Sequence, residues 1–251
     1  MKIEIQNITF GYDKTRNIIN DLSLNLNDDK VVAIVGVSGC GKSTLMRLIS
    51  GLIVIEKDNF FEGKITVNEL SPVEYRQRGK LSFMFQEPAL LPNLSVYENI
   101  ALPFRIKGIL NSQEKVDAVI ETVGLTAFKN YLPKSLSGGM KTRVSLARSF
   151  ITQPELLLLD EPFSALDVAW KTEIYEELKT LKEEFNTTVL FVTHNIDEAL
   201  VLSNKVLILG VDGNIIKDYV VSDNNKQELF KEIHQTIIND HNKRFAFKNE
   251  K

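Results

Sequence analysis

Val31-Val-Ala-Ile-Val-Gly36-Val-Ser-Gly-Cys-Gly-Lys42-Ser43-Thr44 is the stretch that decides the fold. Its first five residues are apolar and mostly β-branched, the composition of a strand covered on both faces. A glycine-rich turn follows, and then Leu45, Met46, Leu48, Ile49 and Leu52 recur at helical spacing. Strand, glycine turn and helix in that order predict a loop whose backbone N–H groups turn inward onto phosphate oxygens, with positive potential added by the helix N-terminus. Gly36 to Ser43 fits G-x-x-x-x-G-K-[ST] at every position. The expected nucleotide contacts are Gly36, Ser38, Gly39, Cys40, Gly41, Lys42, Ser43 and Thr44. Lys42 is expected on the β- and γ-phosphates, the Ser43 hydroxyl on Mg²⁺, and Cys40 contributes only its amide.

Working outward, Ile3–Phe10 alternates up to Gly11, and Ile19–Leu26 alternates again, so both read as strands. Leu156–Leu159 and Val189–Val192 read as buried strands separated by a helix over Val168–Glu184. This alternation implies a parallel α/β core. Between the N-terminal β-rich part and these later strands lies a helical insert over about 87–152. It holds one helix capped by Asn111 with Glu114 three residues on, stopping at Gly124, and a second over Gly139–Ile151. Past Gly213 the pattern weakens. Leu229, Ile233 and Ile237 suggest a last amphipathic helix before a polar tail, together about 222–251.

A net charge of -3 supplies no basic field, so nucleic acid is excluded as an expected partner. One cysteine excludes a disulfide framework. No apolar run approaches the roughly 18–20 residues of a membrane span, and Met1-Lys2-Ile3-Glu4 lacks the regions of a signal peptide. We therefore expect a peripheral protein on the cytoplasmic face of the cell membrane, held there by a partner.

Leu156-Leu-Leu-Leu-Asp160-Glu161-Pro162 ends a buried strand with two carboxylates, where open α/β sheets present ligand-binding groups. Asp160 can hold the Mg²⁺ shell, and Glu161 can accept a proton from an attacking water. Leu136-Ser137-Gly138-Gly139-Met140, followed by Arg143-x-x-x-Ala147-Arg148, then gives the chain its resemblance. It resembles the ATP-binding subunits of ABC transporters, whose signature reads LSGGQ, over about residues 1–220. Lys141-Thr142 departs from the Arg-Gln usual after that signature.

The resemblance implies an α/β fold: a P-loop NTPase core with a parallel sheet, an N-terminal antiparallel β part and a helical subdomain, all one ATPase domain over 1–251. It implies ATP and Mg²⁺ as cofactors and ATP hydrolysis as the activity. Tyr12 matches the aromatic that stacks on adenine. Gln86, in Phe83-Met-Phe-Gln86-Glu87-Pro88, matches the glutamine that reaches Mg²⁺ and water. His194 matches the histidine that orients Glu161 and the water. Ser137, Gly138 and Gly139 match the residues that cap the γ-phosphate held by a second copy, in a head-to-tail dimer with Ser164–Asp167 along the seam. Glu87–Pro92 is expected to dock on integral membrane permease subunits, with an extracytoplasmic binding protein as an indirect partner. His234 and His241 receive no role. Met140, Tyr131-Leu132-Pro133 and Leu94–Asn99 resemble the nitrate, sulfonate and taurine importers, and the chain leaves no room for the extra C-terminal β-domain of many sugar importers. An iron–sulfur assembly scaffold and a lipoprotein-releasing or export cassette stay as alternatives.

Overall fold

In a computed structural model that describes residues 1–27, 30–110, 112–184 and 186–246, the alternating segments become β1 (Lys2–Gly11) and β2 (Ile19–Asn27). The continuous apolar run is β3 (Val31–Val35), and the glycine turn leads into α1 (Lys42–Ile49). Next come β4 (Phe60–Val67), α2 (Pro72–Gln77), β5 (Leu81–Met84), α3 (Val96–Ile106), α4 (Gln113–Thr122) and α5 (Gly138–Phe150). The order continues with β6 (Leu156–Asp160), α6 (Val168–Glu184), β7 (Thr188–Val192), α7 (Ile196–Leu202), β8 (Lys205–Leu209), β9 (Ile215–Val220) and α8 (Lys226–Ala246). Two compact units form: Met1–Leu81 with the chain from Thr188 onward, and Ser82–Thr187.

In the first unit β1 lies between β2 and β4, antiparallel to both. Ile3, Ile5, Ile8 and Phe10 of β1 are buried, and the register shifts between Ile5 and Ile8. Asn7 takes a positive φ of 48° at that shift, a conformation asparagine tolerates better than most residues. The same unit pairs β3 with β7 and with β8, parallel in both cases, while β9 runs antiparallel to β8. All five residues of β3 and all five of β7 are buried, as parallel strands require. Each such Val, Leu or Ile contributes about 1.5–3 kcal/mol by leaving water.

In the second unit β5 neighbours β6, whose five residues are all buried, and α3 packs on α4 and α5. α3 starts with a capping box: the Ser95 hydroxyl accepts from the Glu98 amide, and the Glu98 carboxylate accepts from the Ser95 amide. α4 is capped differently from the sequence expectation. Its N-cap is Ser112, without a side-chain cap bond, and Asn111 lies outside the described residues, as does the tail from residue 247. Its stop is the expected one. Gly124 has φ 63° and donates to the Glu121 carbonyl at 2.8 Å. The weakening pattern after Gly213 hides β9, an exposed edge strand.

Candidate active site

The loop between β3 and α1 takes its shape from glycines at specific points. Gly39 and Gly41 have φ of 78° and 105°, which residues with a Cβ rarely adopt. A Cβ on Gly41 would lie 2.9 Å from Ile19 Cδ1, and one on Gly36 would lie 2.3 Å from the Leu209 carbonyl oxygen. The loop is thus pressed against β2 and the end of β8, while Ser38 and Gly39 face solvent. Lys42 curls back over it and is only 6% exposed. Its ammonium donates to the carbonyls of Gly36 at 3.0 Å and Val37 at 2.9 Å. Gly41 is a helix N-cap with no side-chain acceptor, so α1 starts with its amides bare of any side-chain cap. An ammonium, a bare helix start and the half-buried Ser43 fit a polyphosphate with its divalent cation.

Tyr12 reaches this loop from the end of β1. Its hydroxyl is 3.4 Å from Thr44 Oγ1, its ring stands edge-on to Phe10, and 44% of it is exposed. His194, exposed, follows β7. The Thr193 amide donates to the Ile34 carbonyl at 3.2 Å, so His194 leaves the sheet beside the strand that feeds the loop. A buried contact steadies that exit: Thr193 Oγ1 donates to Glu198 Oε2 at 2.6 Å and accepts from the Asn195 amide at 3.0 Å. Sequence reasoning missed Glu198, whose only signal is an acid in the first turn of α7. Burial pushes the Cys40 thiol up.

The second unit holds the remaining candidates. Asp160 ends β6 at 1% exposure. Glu161 stands in the left-handed region, with φ 48°, and the Ser164 hydroxyl donates to its carbonyl at 3.1 Å. Gln86 Nε2 donates to Glu161 Oε2 at 3.3 Å, joining two residues that the motifs leave 75 positions apart. Ser137 caps α5, its hydroxyl accepting from the Met140 amide at 3.3 Å, and Ser137 and Gly138 are exposed. A Cβ on Gly138 would meet nothing within 4 Å, whereas one on Gly139 would lie 3.1 Å from the Ala165 carbonyl. The start of α5 therefore presents a smooth glycine face while leaning on the Ser164–Asp167 loop.

Behind these groups lie braces that the motifs do not reveal. Asn99, fully buried, accepts from the Leu91 amide at 2.9 Å and donates to the carbonyls of Leu91, Leu94 and Ser95. Arg148 donates to the Ala89 carbonyl at 2.7 Å, and burial lowers its pKa. Arg143 donates to the Val123 carbonyl at 2.8 Å and lies over the Trp170 ring at 3.9 Å. A Cβ on Gly124 would fall 1.6 Å from Trp170 Cη2, so the indole fills the space this glycine leaves.

The ABC transporter family model matches residues 19–164, more than half of the 251. This chain belongs to the ABC transporter family. Among similar proteins, the aliphatic sulfonates import ATP-binding protein SsuB 2 of Pseudomonas syringae pv. tomato is 42% identical over 77% of this chain and 76% of its own. The SsuB protein of Bacillus cereus is 36% identical over 95% of both. A solved ATP-binding cassette, dimeric and bound to ADP and phosphate in a post-hydrolysis state, superposes with a TM-score of 0.77. It is 27% identical and covers 88% of this chain and 99% of its own. The protein is thus an ABC ATPase with the α/β cassette fold, an ATP-hydrolysing transport subunit. Among the described residues of this ABC ATPase, no helix is long and apolar enough to cross a membrane.

Proposed function

We propose that this ABC ATPase energises an importer of aliphatic sulfonates or closely similar small anions, as a head-to-tail dimer beneath two permease subunits at the cytoplasmic face. The observation that carries the dimer is the presence in one chain of two helix starts suited to phosphate. One is the Gly36–Thr44 loop, and the other is the exposed glycine face at Ser137–Gly139. The sulfonate class rests on the SsuB likeness over 95% of both chains.

In this reading the loop amides of Gly36, Ser38, Gly39, Cys40 and Gly41 bind the phosphates, with Thr44 at the helix start. Lys42 exchanges the carbonyls of Gly36 and Val37 for the β- and γ-phosphate oxygens. Ser43, Asp160 and Gln86 hold Mg²⁺, which neutralises charge on the phosphate oxygens. Tyr12 stacks on adenine. Glu161 takes a proton from the water that attacks the γ-phosphorus as the bond to ADP breaks, and His194 orients water and carboxylate. The left-handed backbone at Glu161 and the Gln86 amide fix the direction of the carboxylate. Ser137, Gly138 and Gly139 close over the nucleotide of the second copy.

Glu87–Pro92 is the docking wall for the permease. Glu87, Ala89 and Leu91 are exposed there, while Asn99 and Arg148 brace the segment from behind. The extracytoplasmic binding protein acts through the permease, and no nucleic acid takes part. The test is reconstitution with the permease and binding protein in liposomes loaded with ATP. Alkanesulfonate uptake that depends on ATP and on Lys42 is expected. Turnover of ATP that never responds to sulfonate-loaded binding protein would remove the sulfonate assignment.

A further inference from the structure

The C-terminal helix reaches the phosphate loop through one buried carboxylate. Asp240 of α8 is 7% exposed, and its Oδ2 accepts from the Val211 amide at 2.8 Å. A Cβ on the preceding Gly210 would lie 3.3 Å from Oδ1, so the carboxylate lies along the Gly210–Val211 backbone. These two residues open the turn between β8 and β9, which is closed by Gly210 N–H to the Asn214 carbonyl at 2.9 Å and Gly213 N–H to the Gly210 carbonyl at 3.0 Å. The turn is also tied to β2, since the Asn20 amide donates to the Gly213 carbonyl at 3.2 Å.

What makes this turn matter is its neighbour. Leu209, one residue before it, places its carbonyl 2.3 Å from where a Cβ of Gly36 would be. The first glycine of the loop therefore rests on the strand end whose next two residues Asp240 holds. On the far side, a polar cleft lined by Asn17, Asn20, Gly39, Val211 and Asp212 joins the same turn to the middle of the loop. The carboxylate is also within electrostatic reach of the loop. Burial raises the Cys40 thiol most, Lys42 opposes it, and the charge of Asp240 adds to the rise. A buried carboxylate costs several kcal/mol unless it is held, and here the amide that holds Asp240 is the one Asp240 immobilises.

We propose that Asp240 is a positioning residue for ATP binding: through the Gly210–Asn214 turn it holds the seat of Gly36, making α8 a strap that fixes the phosphate loop. The inference rests on the loop being the nucleotide site, and its test separates the two ideas. Asp240→Ala frees the Val211 amide and loosens the seat. Loss of one charge-assisted hydrogen bond behind the loop should raise KM for ATP about five- to tenfold, with kcat within about twofold. Asp240→Asn keeps an acceptor oxygen and should return KM to the wild-type range.

The second readout needs no nucleotide. Cys40 is the single cysteine of the chain and is 2% exposed, so its modification by DTNB reports opening of the loop. Asp240→Asn removes the same charge beside the thiol but keeps the acceptor, so it is the reference: Asp240→Ala should react at least about fivefold faster than Asp240→Asn, by the loosened seat alone. Should the alanine variant not fold, Asp240→Ser, whose hydroxyl is too short to reach Val211, supplies the same comparison. A variant with lowered melting temperature but unchanged KM and unchanged Cys40 reactivity would overturn the proposal, as would an asparagine variant as impaired as alanine. A wild-type chain that binds no fluorescent ATP analogue overturns the nucleotide reading instead, whatever Cys40 does.

Discussion

Asn99→Ala cuts the brace behind the docking segment while leaving every nucleotide-contacting group in place. Asn99 accepts from the Leu91 amide at 2.9 Å and donates to the carbonyls of Leu91 at 3.2 Å, Leu94 at 2.9 Å and Ser95 at 3.0 Å. Ser95 keeps a partner, because the Asn99 amide also donates to its carbonyl. The Leu91 carbonyl keeps one too, accepting from the Leu94 amide at 3.1 Å, whereas the Leu91 amide and the Leu94 carbonyl do not. Leu91 is 43% exposed, so these groups reach water after a small movement, and each bond counts at its net value, not at the full penalty of a buried orphan. The segment should lose about 1–3 kcal/mol of local order. At about 1.4 kcal/mol per tenfold, amide exchange at Leu91 should accelerate about 5- to 140-fold. Val96, Ile100 and Phe104 still anchor α3 in the core, so the unit should stay folded. Hydrogen exchange followed by mass spectrometry on Leu90–Ser95 reads the local effect. ATPase of the reconstituted complex, with and without loaded binding protein, reads the coupling, which should fall while ATP affinity of the free subunit holds. Wild-type protection at Leu91 together with intact stimulation would refute the bracing argument.

Lys42→Ala should abolish phosphate release and most ATP affinity, since in the proposed site the ammonium held by the Gly36 and Val37 carbonyls moves onto the β- and γ-phosphates; activity within about threefold of wild type in the assembled complex contradicts this. Glu161→Gln should trap an ATP-bound dimer, seen as a doubled mass by light scattering with ATP and Mg²⁺, and Ser137→Arg should block it by filling the open glycine face; an unchanged mass over a wide concentration range defeats the head-to-tail model. A cysteine at exposed Ala89 should cross-link to the cytoplasmic loops of a co-expressed permease, with native Cys40 too buried to compete; links only to the dimer mate would argue against docking there. Glu98 is held below its ordinary 4.5 by the Ser95 amide and hydroxyl, so its contribution to α3 is present above that pH and disappears as pH falls through the lowered folded value. An NMR titration should show it moving upward in Ser95→Ala, and an unmoved Glu98 would dissolve the capping box.

Where one residue type dominates a run, the sequence shows the element almost to its ends. Val31–Val35 and Val168–Glu184 emerge with the bounds read from the pattern, because β-branched continuity and helical spacing survive any tertiary context. β9 is invisible for the opposite reason: as an edge strand it leaves Lys217 and Asp218 exposed, so no alternation marks it. α3 goes unread although Ser95 and Glu98 form a capping box at its start, whereas the same motif is read at residues 111–114, where the chain starts its helix from Ser112 without a side-chain cap. The candidate site divides along the same line. Gly36–Ser43, Asp160–Glu161 and Ser137–Gly139 carry their chemistry in contiguous residues and are legible as strings. Asn99, Arg148, Glu198 and Asp240 act on backbone groups or side chains that their own neighbourhoods do not name, and the Gln86–Glu161 bond spans 75 positions. Only coordinates bring such partners together.

The indole of Trp170 is the only one in the chain, and the guanidinium of Arg143, six residues along from Ser137, sits over its ring. Nature has thereby installed a spectroscopic probe at the junction of α5 and α6. Emission from a lone indole responds to the charge and polarity beside it, and here the adjacent cation is fastened by a 2.8 Å bond to the Val123 carbonyl. Any event that slides α5 away from α6 must lift the cation from the ring and shift the emitted light. Separation of α5 from α6 can therefore be watched in unlabelled protein, in real time, by its own fluorescence.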